Sequence, residues 1–455
     1  MNENKAPIIA RASAPGRGGV GIIRLSGSAT AMDSIVQELF KGKVLKPRFA
    51  HLCPVEDDDG QAIDQAIVIR FVAPRSYTGE DVLEIQAHGG TAIQQMIMDR
   101  CMRVGSKVGL RYAEPGEFTQ RAFLNGRIDL AQAEAVADLI DAGSAASARA
   151  AARSLQGCFS KRITDLNEQL IDLRAFVEAT LDFPEEEIEF IENGHVAQRA
   201  VDLLGQVQDL SKSAMRGKVL RDGLTVVLVG SPNVGKSSLM NTLAGDEVAI
   251  VTDIAGTTRD KIEYAIEVDG VPIKLIDTAG LRQTEDTVEM IGIERTLKAI
   301  ENADVILHLK DVTRLADEED QTAMELILPR LREGVEFLTV VNKVDLVKAE
   351  DTAVDGLLLS TKTGFGVEVL TQELRRIAGM SEVSEGDFMA RARHLDCIAR
   401  AQEHLQNVVL GIGSMNLEIA AEELRLSSNA LGEIVGQTLP DDLLGMIFSR
   451  FCIGK

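Results

Sequence analysis

The chain has 455 residues, 45% of them hydrophobic and 26% charged, which is enough for about three domains at roughly 150 residues each. A formal net charge of −22 excludes a protein that coats nucleic acid non-specifically, because phosphate repels such a surface. There is no charged start followed by an apolar run and a small-residue cleavage site, no run approaches a membrane span, and the five cysteines lack C-x-x-C spacing. A soluble chain of the reducing cytoplasm with free thiols is therefore expected.

Residues 1–120 mix short apolar runs with glycine-rich turns. Ile8–Ala10, Val20–Leu25, Ala66–Val72 and Val82–Ile85 read as strands, separated by the turn signals Pro15-Gly16, Gly18-Gly19 and Gly89-Gly90, so a small α+β domain is expected here. Residues 1–50 carry a local charge of +5, which reads as a solvated face and leaves a local nucleic-acid contact open. His51 and Cys53 are close but lack zinc spacing and read as packing. From Asp129 the pattern turns helical. Leu155, Phe159, Ile163, Leu166, Leu170, Leu173 and Val177 recur at steps of three and four, one apolar stripe down a long helix that Pro184 and the acidic run Glu185-Glu186-Glu187 end. A further helical stretch reaches Lys218. Next, strand-like runs alternate with helical ones: Val226–Val229, Lys274–Ile276, Val305–Leu309, Phe337–Val341 and Leu357–Leu359, the pattern of a parallel sheet with helices on both faces. Helical spacing returns after residue 388 at Leu395, Ile398, Leu405, Val409 and Ile412. The economical organisation is an α+β domain at 1–120, an all-α domain in two parts at 121–219 and 379–455, and an α/β domain at 220–378 inserted between them.

The inserted segment carries the chemistry. Gly230-Ser231-Pro232-Asn233-Val234-Gly235-Lys236-Ser237 fits G-x-x-x-x-G-K-[ST] between a strand and a helix. Its glycines let backbone N–H groups turn toward phosphates and the helix N-terminus adds positive potential. Lys236 is expected to reach the β- and γ-phosphates, and the Ser237 hydroxyl to ligate magnesium; Ser238 follows on the helix. Gly256-Thr257-Thr258-Arg259-Asp260 reads as a switch loop with Thr258 at the metal. Asp277-Thr278-Ala279-Gly280 ends a strand, with Asp277 behind the metal and Gly280 at the γ-phosphate. In Asn342-Lys343-Val344-Asp345 the Asp345 carboxylate can accept from guanine N1–H and its 2-amino group, a donor pair adenine lacks, so the site selects GTP. Ser360-Thr361-Lys362 supplies the last base contact.

One position departs from the Ras pattern. Ras-like proteins place a water-orienting glutamine after D-T-A-G, and here Leu281 stands there. Glu289 is a candidate replacement, although an acid there, taken alone, is more often just the solvated start of a helix. Asn233 sits where many GTPases have glycine, and a potassium ion beside it could neutralise developing charge as an arginine finger does, a contribution of about 10³–10⁵ in rate. Glu84, by its pattern alone, is the solvated acid of a half-buried strand. At the end of the chain, Lys455 and Gly454 argue against a prenylation box at Cys452. Leu443, Leu444, Ile447, Phe448 and Phe451 form an apolar face that would dock the tail, and Cys452 beside Lys455 would then be a candidate reactive thiol.

These residues resemble the MnmE (TrmE) family of tRNA-modification GTPases. The likeness is carried by Pro15–Arg24, Thr78–Glu84, His88–Gly90, Arg121–Arg127, Asp182–Glu186, the guanine motifs and the terminal Phe451-Cys452-Ile453-Gly454-Lys455, and it spans essentially the whole chain. The resemblance implies a homodimer that works with the FAD-containing partner MnmG (GidA) in a heterotetramer or larger complex. That complex installs a carboxymethylaminomethyl or aminomethyl group at carbon 5 of the wobble uridine of certain tRNAs. It implies Mg²⁺, K⁺ and 5-formyl- or methylene-tetrahydrofolate as cofactors. Folate positions fall on Arg24, Glu84, Arg127 and Lys455, with Arg127 standing where the family often has lysine. Potassium positions fall on Asn233, Thr252, Ile254 and Thr257, within a nucleotide-contacting loop that also holds Asp253 and Ala255. The water-orienting glutamate matches Glu289, and the family's cysteine matches Cys452. A second reading is a ribosome-assembly GTPase that binds rRNA, like Era or Der. Such proteins carry basic RNA-binding modules, whereas residues 380–455 are helical with mixed charge.

Overall fold

The computed structural model describes residues 6–181, 195–244, 263–277, 297–332, 334–347, 355–380, 386–411, 417–437, 441–449, 451 and 453–454. By contacts the chain divides into two compact units, one of residues 1–137, 160–167 and 428–455 and the other of 138–159 and 168–427.

The first unit is built on a six-stranded sheet of β1 (Ile8–Arg11), β2 (Gly18–Gly27), β3 (His51–Glu56), β4 (Ala62–Phe71), β5 (Asp81–Gly89) and β6 (Arg111–Tyr112), in the order β3-β4-β5-β2-β1-β6. All pairings are antiparallel except β1 with β6. Alternation sorts its side chains. Ile23, Leu25, Leu83 and Ile85 enter a core shared with α1 (Ala29–Leu39) and α2 (Thr91–Gly105), while intervening residues such as Arg24 and Glu84 face the other way. The Ser28 hydroxyl caps α1 by accepting from the Ala31 N–H. Helix α3 (Glu117–Leu124) follows β6, and α4 (Leu130–Asp141) begins just beyond. The tail docks within this unit. Leu444, Phe448 and Phe451 are buried against Leu130, Ala133, Phe123 and Ile128, and Ile453 bridges Pro115. The expected apolar tail face is therefore used, and Gly116, at φ 69, leaves room for the Phe448 carbonyl.

The second unit holds α5 (Ala145–Leu155), most of α6 (Cys158–Leu181), α7 (Val196–Asp222), a second six-stranded sheet, α11 (Ala392–Gly411) and most of α12 (Leu417–Val435). The apolar stripe is real from Phe159 to Val177, where every named member is buried. Leu155 does not belong to it, because Gly157 at φ 88 ends α5 before α6 begins. The Pro184–Glu187 stop and Ile412 lie outside the described residues.

Helix α7 runs into the sheet through Gly223, and α11 leaves it again. The two helices pack on each other, and Arg216 of α7 bonds Asp387, just ahead of α11, at 3.1 Å. The α/β segment is thus inserted into a helical framework. Its sheet has β7 (Leu224–Val229), β8 (Glu263–Val268), β9 (Val271–Asp277), β10 (Val305–Asp311), β11 (Glu336–Asn342) and β12 (Leu357–Leu358), ordered β12-β11-β10-β7-β9-β8, and only the β8–β9 pair is antiparallel. Central strands are apolar on both faces: Val226 and Leu228 join one core cluster, Val227 and Val229 the other. Helices α8 (Lys236–Ala244), α9 (Glu318–Ile327) and α10 (Val367–Ile377) complete the segment.

Candidate functional site

In an open parallel sheet, ligands bind beyond the carboxyl ends of the strands. Here β7, β9, β10 and β11 deliver, at those ends, the loop 230–235, Asp277, Asp311 and Asn342. The loop after β7 is shaped by three residues with positive φ: Gly230 at 143°, Asn233 at 64° and Gly235 at 105°. Gly235 is required twice over, because a Cβ there would also lie 2.2 Å from Asn342 Nδ2. The Lys236 ammonium folds over this loop, donating to the Gly230 carbonyl at 2.7 Å and the Ser231 carbonyl at 3.1 Å. Burial lowers its pKa, and the nearby Asp277 carboxylate opposes that shift. Burial raises the pKa of Asp277 in turn, with Lys236 opposing. Asp277 Oδ1 is buried and has no hydrogen-bond partner among the described residues. Ser237 and Ser238 are exposed on the first turn of α8.

The base-side motifs close on this loop. Asn342 is buried; its Nδ2 donates to the Val234 carbonyl at 2.9 Å and its Oδ1 accepts from the Thr361 N–H at 3.2 Å. One side chain therefore ties the loop after β7 to the loop after β12. Lys343, at φ 65, sends its ammonium to the Asn233 carbonyl and to Asp311 Oδ2, both at 2.7 Å. The Ser360 hydroxyl donates to Asp345 Oδ1 at 2.7 Å and orients that carboxylate. Lys362 is exposed. Thr252, Asp253, Ile254, Ala255, Gly256, Thr257, Thr258, Thr278, Ala279, Gly280, Leu281, Glu289, Cys452 and Lys455 lie outside the described residues.

In the first unit, Arg24 of β2 and Glu84 of β5 stand directly opposite each other in register. Arg24 Nε and Nη2 both reach Glu84 Oε1, at 3.0 and 2.9 Å, and Nη1 donates to the Gly454 carbonyl at 3.3 Å. The guanidinium lies 5.5 Å from the Tyr77 ring and 5.9 Å from the Phe118 ring, an apolar seat that fixes it. Glu84 Oε2 has no partner among the described residues. Arg127 is exposed and lies beside Gly79 in the loop that carries Tyr77.

Two family models match the chain: the MnmE helical domain over residues 130–452, and the TrmE N-terminus of GTP-binding proteins over residues 7–127. The tRNA modification GTPase MnmE of Bordetella parapertussis is 52% identical over 453 residues, covering 99% of each chain. The proteins of the same name from Polynucleobacter asymbioticus and Neisseria meningitidis serogroup B are each 50% identical and cover 100% of both chains. The chain belongs to the MnmE family of tRNA modification GTPases.

Several residues of this MnmE-family chain escaped the sequence reading. Asp311 links Lys343 to the turn at Thr313, whose N–H and hydroxyl both donate to Asp311 Oδ1. It closes β10, the strand next to the one whose motif it supports and about thirty residues earlier in the chain, so no contiguous pattern marks it. Tyr77, bonded through its hydroxyl to Thr119 at 2.8 Å, was hidden for the same reason. Behind it, the buried Arg121 pairs with the buried Glu117 and with the partly exposed Glu80, and Arg111 adds a bidentate contact to Glu117. Burial raises the Glu117 pKa, but bonds from Arg111, the Glu114 N–H and Arg121 outweigh it and hold the carboxyl below its ordinary range.

Proposed function

We propose that the chain is a potassium-dependent, homodimeric GTPase of the cytoplasm. With the FAD-containing partner MnmG, it would install the carboxymethylaminomethyl or aminomethyl group at carbon 5 of the wobble uridine of certain tRNAs, using a tetrahydrofolate one-carbon unit. The observation that carries the GTPase part is the pair of hydrogen bonds in which Asn342 donates to the Val234 carbonyl and accepts from the Thr361 N–H, joining a phosphate loop and a guanine loop into one site.

Hydrolysis adds a water oxygen to the γ-phosphorus and breaks its bond to the bridging oxygen, leaving GDP. The backbone N–H groups of residues 233–238 and the Lys236 ammonium would hold the β- and γ-phosphates where that charge develops. Asp345 would accept from the guanine N–H groups, steadied by Ser360. Ser237 and Thr258 would hold magnesium, which neutralises phosphate charge. The unpartnered, buried Asp277 Oδ1 fits a place behind its water shell, because a buried acceptor otherwise goes unpaid in hydrogen bonds. Asn233, Thr252, Ile254 and Thr257 would hold potassium; Asn233 is exposed, and its backbone is fixed through Lys343. Glu289 would orient water in place of the glutamine that Leu281 replaces.

In the first unit, Glu84 Oε2 would accept from pterin N–H groups while Arg24 holds Oε1, with Arg127 and Lys455 at the folate's charged end and Cys452 near the one-carbon unit. Partial exposure of Arg24 and Glu84, 18% and 16% at their side chains, leaves the pair reachable.

The test is GTP turnover in matched potassium and sodium buffers, with oligomer size read in GDP plus aluminium fluoride. Potassium-specific stimulation with association of nucleotide domains is expected. Equal rates in both buffers would remove the ion site and leave Leu281 uncompensated.

A further inference from the structure

Arg24 serves two parts of the first unit at once. All three of its guanidinium nitrogens are committed: Nε and Nη2 to Glu84 Oε1, at 3.0 and 2.9 Å, and Nη1 to the Gly454 carbonyl at 3.3 Å. One planar fork therefore joins the carboxylate on β5 to the terminal tail, a geometry that lysine, with a single nitrogen, cannot reproduce. The tail is closely seated where they meet. Gly454 has φ 98, and a Cβ there would fall 2.0 Å from the Arg11 carbonyl oxygen, so its backbone passes directly against the end of β1. Ile453 bridges Pro115.

A pair of rings keeps that fork aimed at both acceptors. An arginine left free on a sheet face samples many rotamers and meets one acceptor at a time. Ring faces within about 6 Å attract a guanidinium and remove that freedom. Here the Tyr77 ring lies 5.5 Å and the Phe118 ring 5.9 Å from it. Phe118 is fully buried, whereas Tyr77 is half-buried and comes from the loop between β4 and β5. Three bonds place that loop. The Tyr77 hydroxyl is bonded to that of the buried Thr119 at 2.8 Å. The Thr78 carbonyl accepts from Asn125 Nδ2 at 2.7 Å. Ser26 gives its one O–H to Glu80 Oε2, so Thr78 Oγ1 is the donor in the 2.7 Å bond to Ser26 Oγ. Ser26 lies two residues along β2 from Arg24, so the loop that carries Tyr77 is pinned to the strand that carries the guanidinium.

We propose that Tyr77 is a positioning residue that acts through Arg24, holding one guanidinium on Glu84 and on the Gly454 carbonyl together, so that ligand binding at Glu84 and seating of the terminal tail are coupled. Such coupling is reciprocal: a ligand that fixes Glu84 steadies the tail, and a loosened tail weakens the ligand. The inference rests on the reading that this face takes a reduced folate.

The experiment is hydrogen exchange of the full chain, read by mass spectrometry on its C-terminal peptide with and without 5-formyltetrahydrofolate, alongside folate affinity by calorimetry. In wild type the ligand is expected to slow exchange of the tail about tenfold. Tyr77→Leu removes the ring. Its unliganded tail should exchange about tenfold faster, and the ligand should no longer protect it. Its folate affinity should fall about three- to tenfold, with GTP turnover unchanged. Tyr77→Phe keeps the ring and should restore tail protection and most of the affinity, which a residue needed only to anchor its loop on Thr119 would not do. Arg24→Lys leaves that loop intact and should free the tail in the same way. If wild type binds folate but its tail exchanges alike with and without it, or if the tails of Tyr77→Leu and Arg24→Lys stay as protected as that of wild type, the inference is overturned and the folate reading stands. Wild type that binds no folate would overturn both.

Discussion

The two six-stranded sheets place their candidate sites by different means. In the parallel sheet the site lies past the strand ends and is made largely of backbone: Gly230, Asn233 and Gly235 turn the loop, and Asn342 clasps it by its carbonyl. In the antiparallel sheet the site lies on the face and is made of side chains that meet across β2 and β5, residues sixty apart in sequence. A backbone site must keep its residues adjacent, so it leaves a contiguous motif. A cross-strand site needs only register, so it leaves isolated acids and bases that look like ordinary surface.

The largest expected effect tests whether the two sites act apart. Lys236→Ala removes the buried ammonium at the phosphate loop, and kcat/KM for GTP should fall by about 10²–10³ or more. Binding of 5-formyltetrahydrofolate, measured by calorimetry on the same preparation, should not change. A parallel loss of folate binding would join the two sites that the comparison separates.

Glu84→Gln is the reciprocal change. It keeps shape but removes the charge that holds Arg24 and would accept the pterin N–H groups. Folate affinity should fall about 10- to 100-fold, the usual worth of hydrogen bonds to a charged group at about 1.5–3 kcal/mol. Undiminished affinity would move the folate site off the β2–β5 face. Asp345→Asn comes next. The amide can no longer accept from both guanine donors, so GTP affinity should drop about tenfold, while xanthosine triphosphate, which presents a carbonyl in place of the 2-amino group, should gain. Equal affinity for both nucleotides in wild type would break the base assignment.

The same contrast explains what could be read in advance. Nine strands were visible as apolar runs, because β7 and β10 are buried on both faces and β2 and β5 on one. Missed were β3, whose His51-Leu52-Cys53-Pro54 mixes exposed and buried positions at an edge, the two-residue β6, Arg111-Tyr112, too short to show a pattern, and β8, where Glu263-Tyr264-Ala265 carries little hydropathy. The long apolar stripe was legible but began one helix too early, at Leu155, since the break at Gly157 keeps the three-four spacing while changing the helix. Lys236, Asp277, Asn342 and Asp345 were named from motifs, and the structure sets them at or just past the carboxyl ends of the parallel strands β7, β9 and β11. Tyr77 and Asp311 were not, because each acts on a residue of another element and no local spacing records that.

The smallest expected effect concerns Asp311, which sharpens the comparison because it is a side-chain support inside a backbone site. Burial raises its pKa, but the bonds from Lys343 and Thr313 more than reverse this and hold it below the ordinary 3.8. A carboxylate stabilised in this way contributes fully above its unfolded value and loses its contribution only as pH falls through the lower folded one. Its pair with Lys343 should therefore be constant from pH 8 to pH 5. Asp311→Asn leaves Lys343 with the Asn233 carbonyl alone and should weaken GTP binding only about three- to fivefold, near the 1 kcal/mol of one partly exposed bond, with no change in KM for potassium. The check is nucleotide affinity by fluorescence titration across that pH range, in both proteins. A fall in wild-type affinity between pH 8 and pH 5 that disappears in the variant would show Asp311 titrating far above its expected range, and Lys343 would then need another anchor.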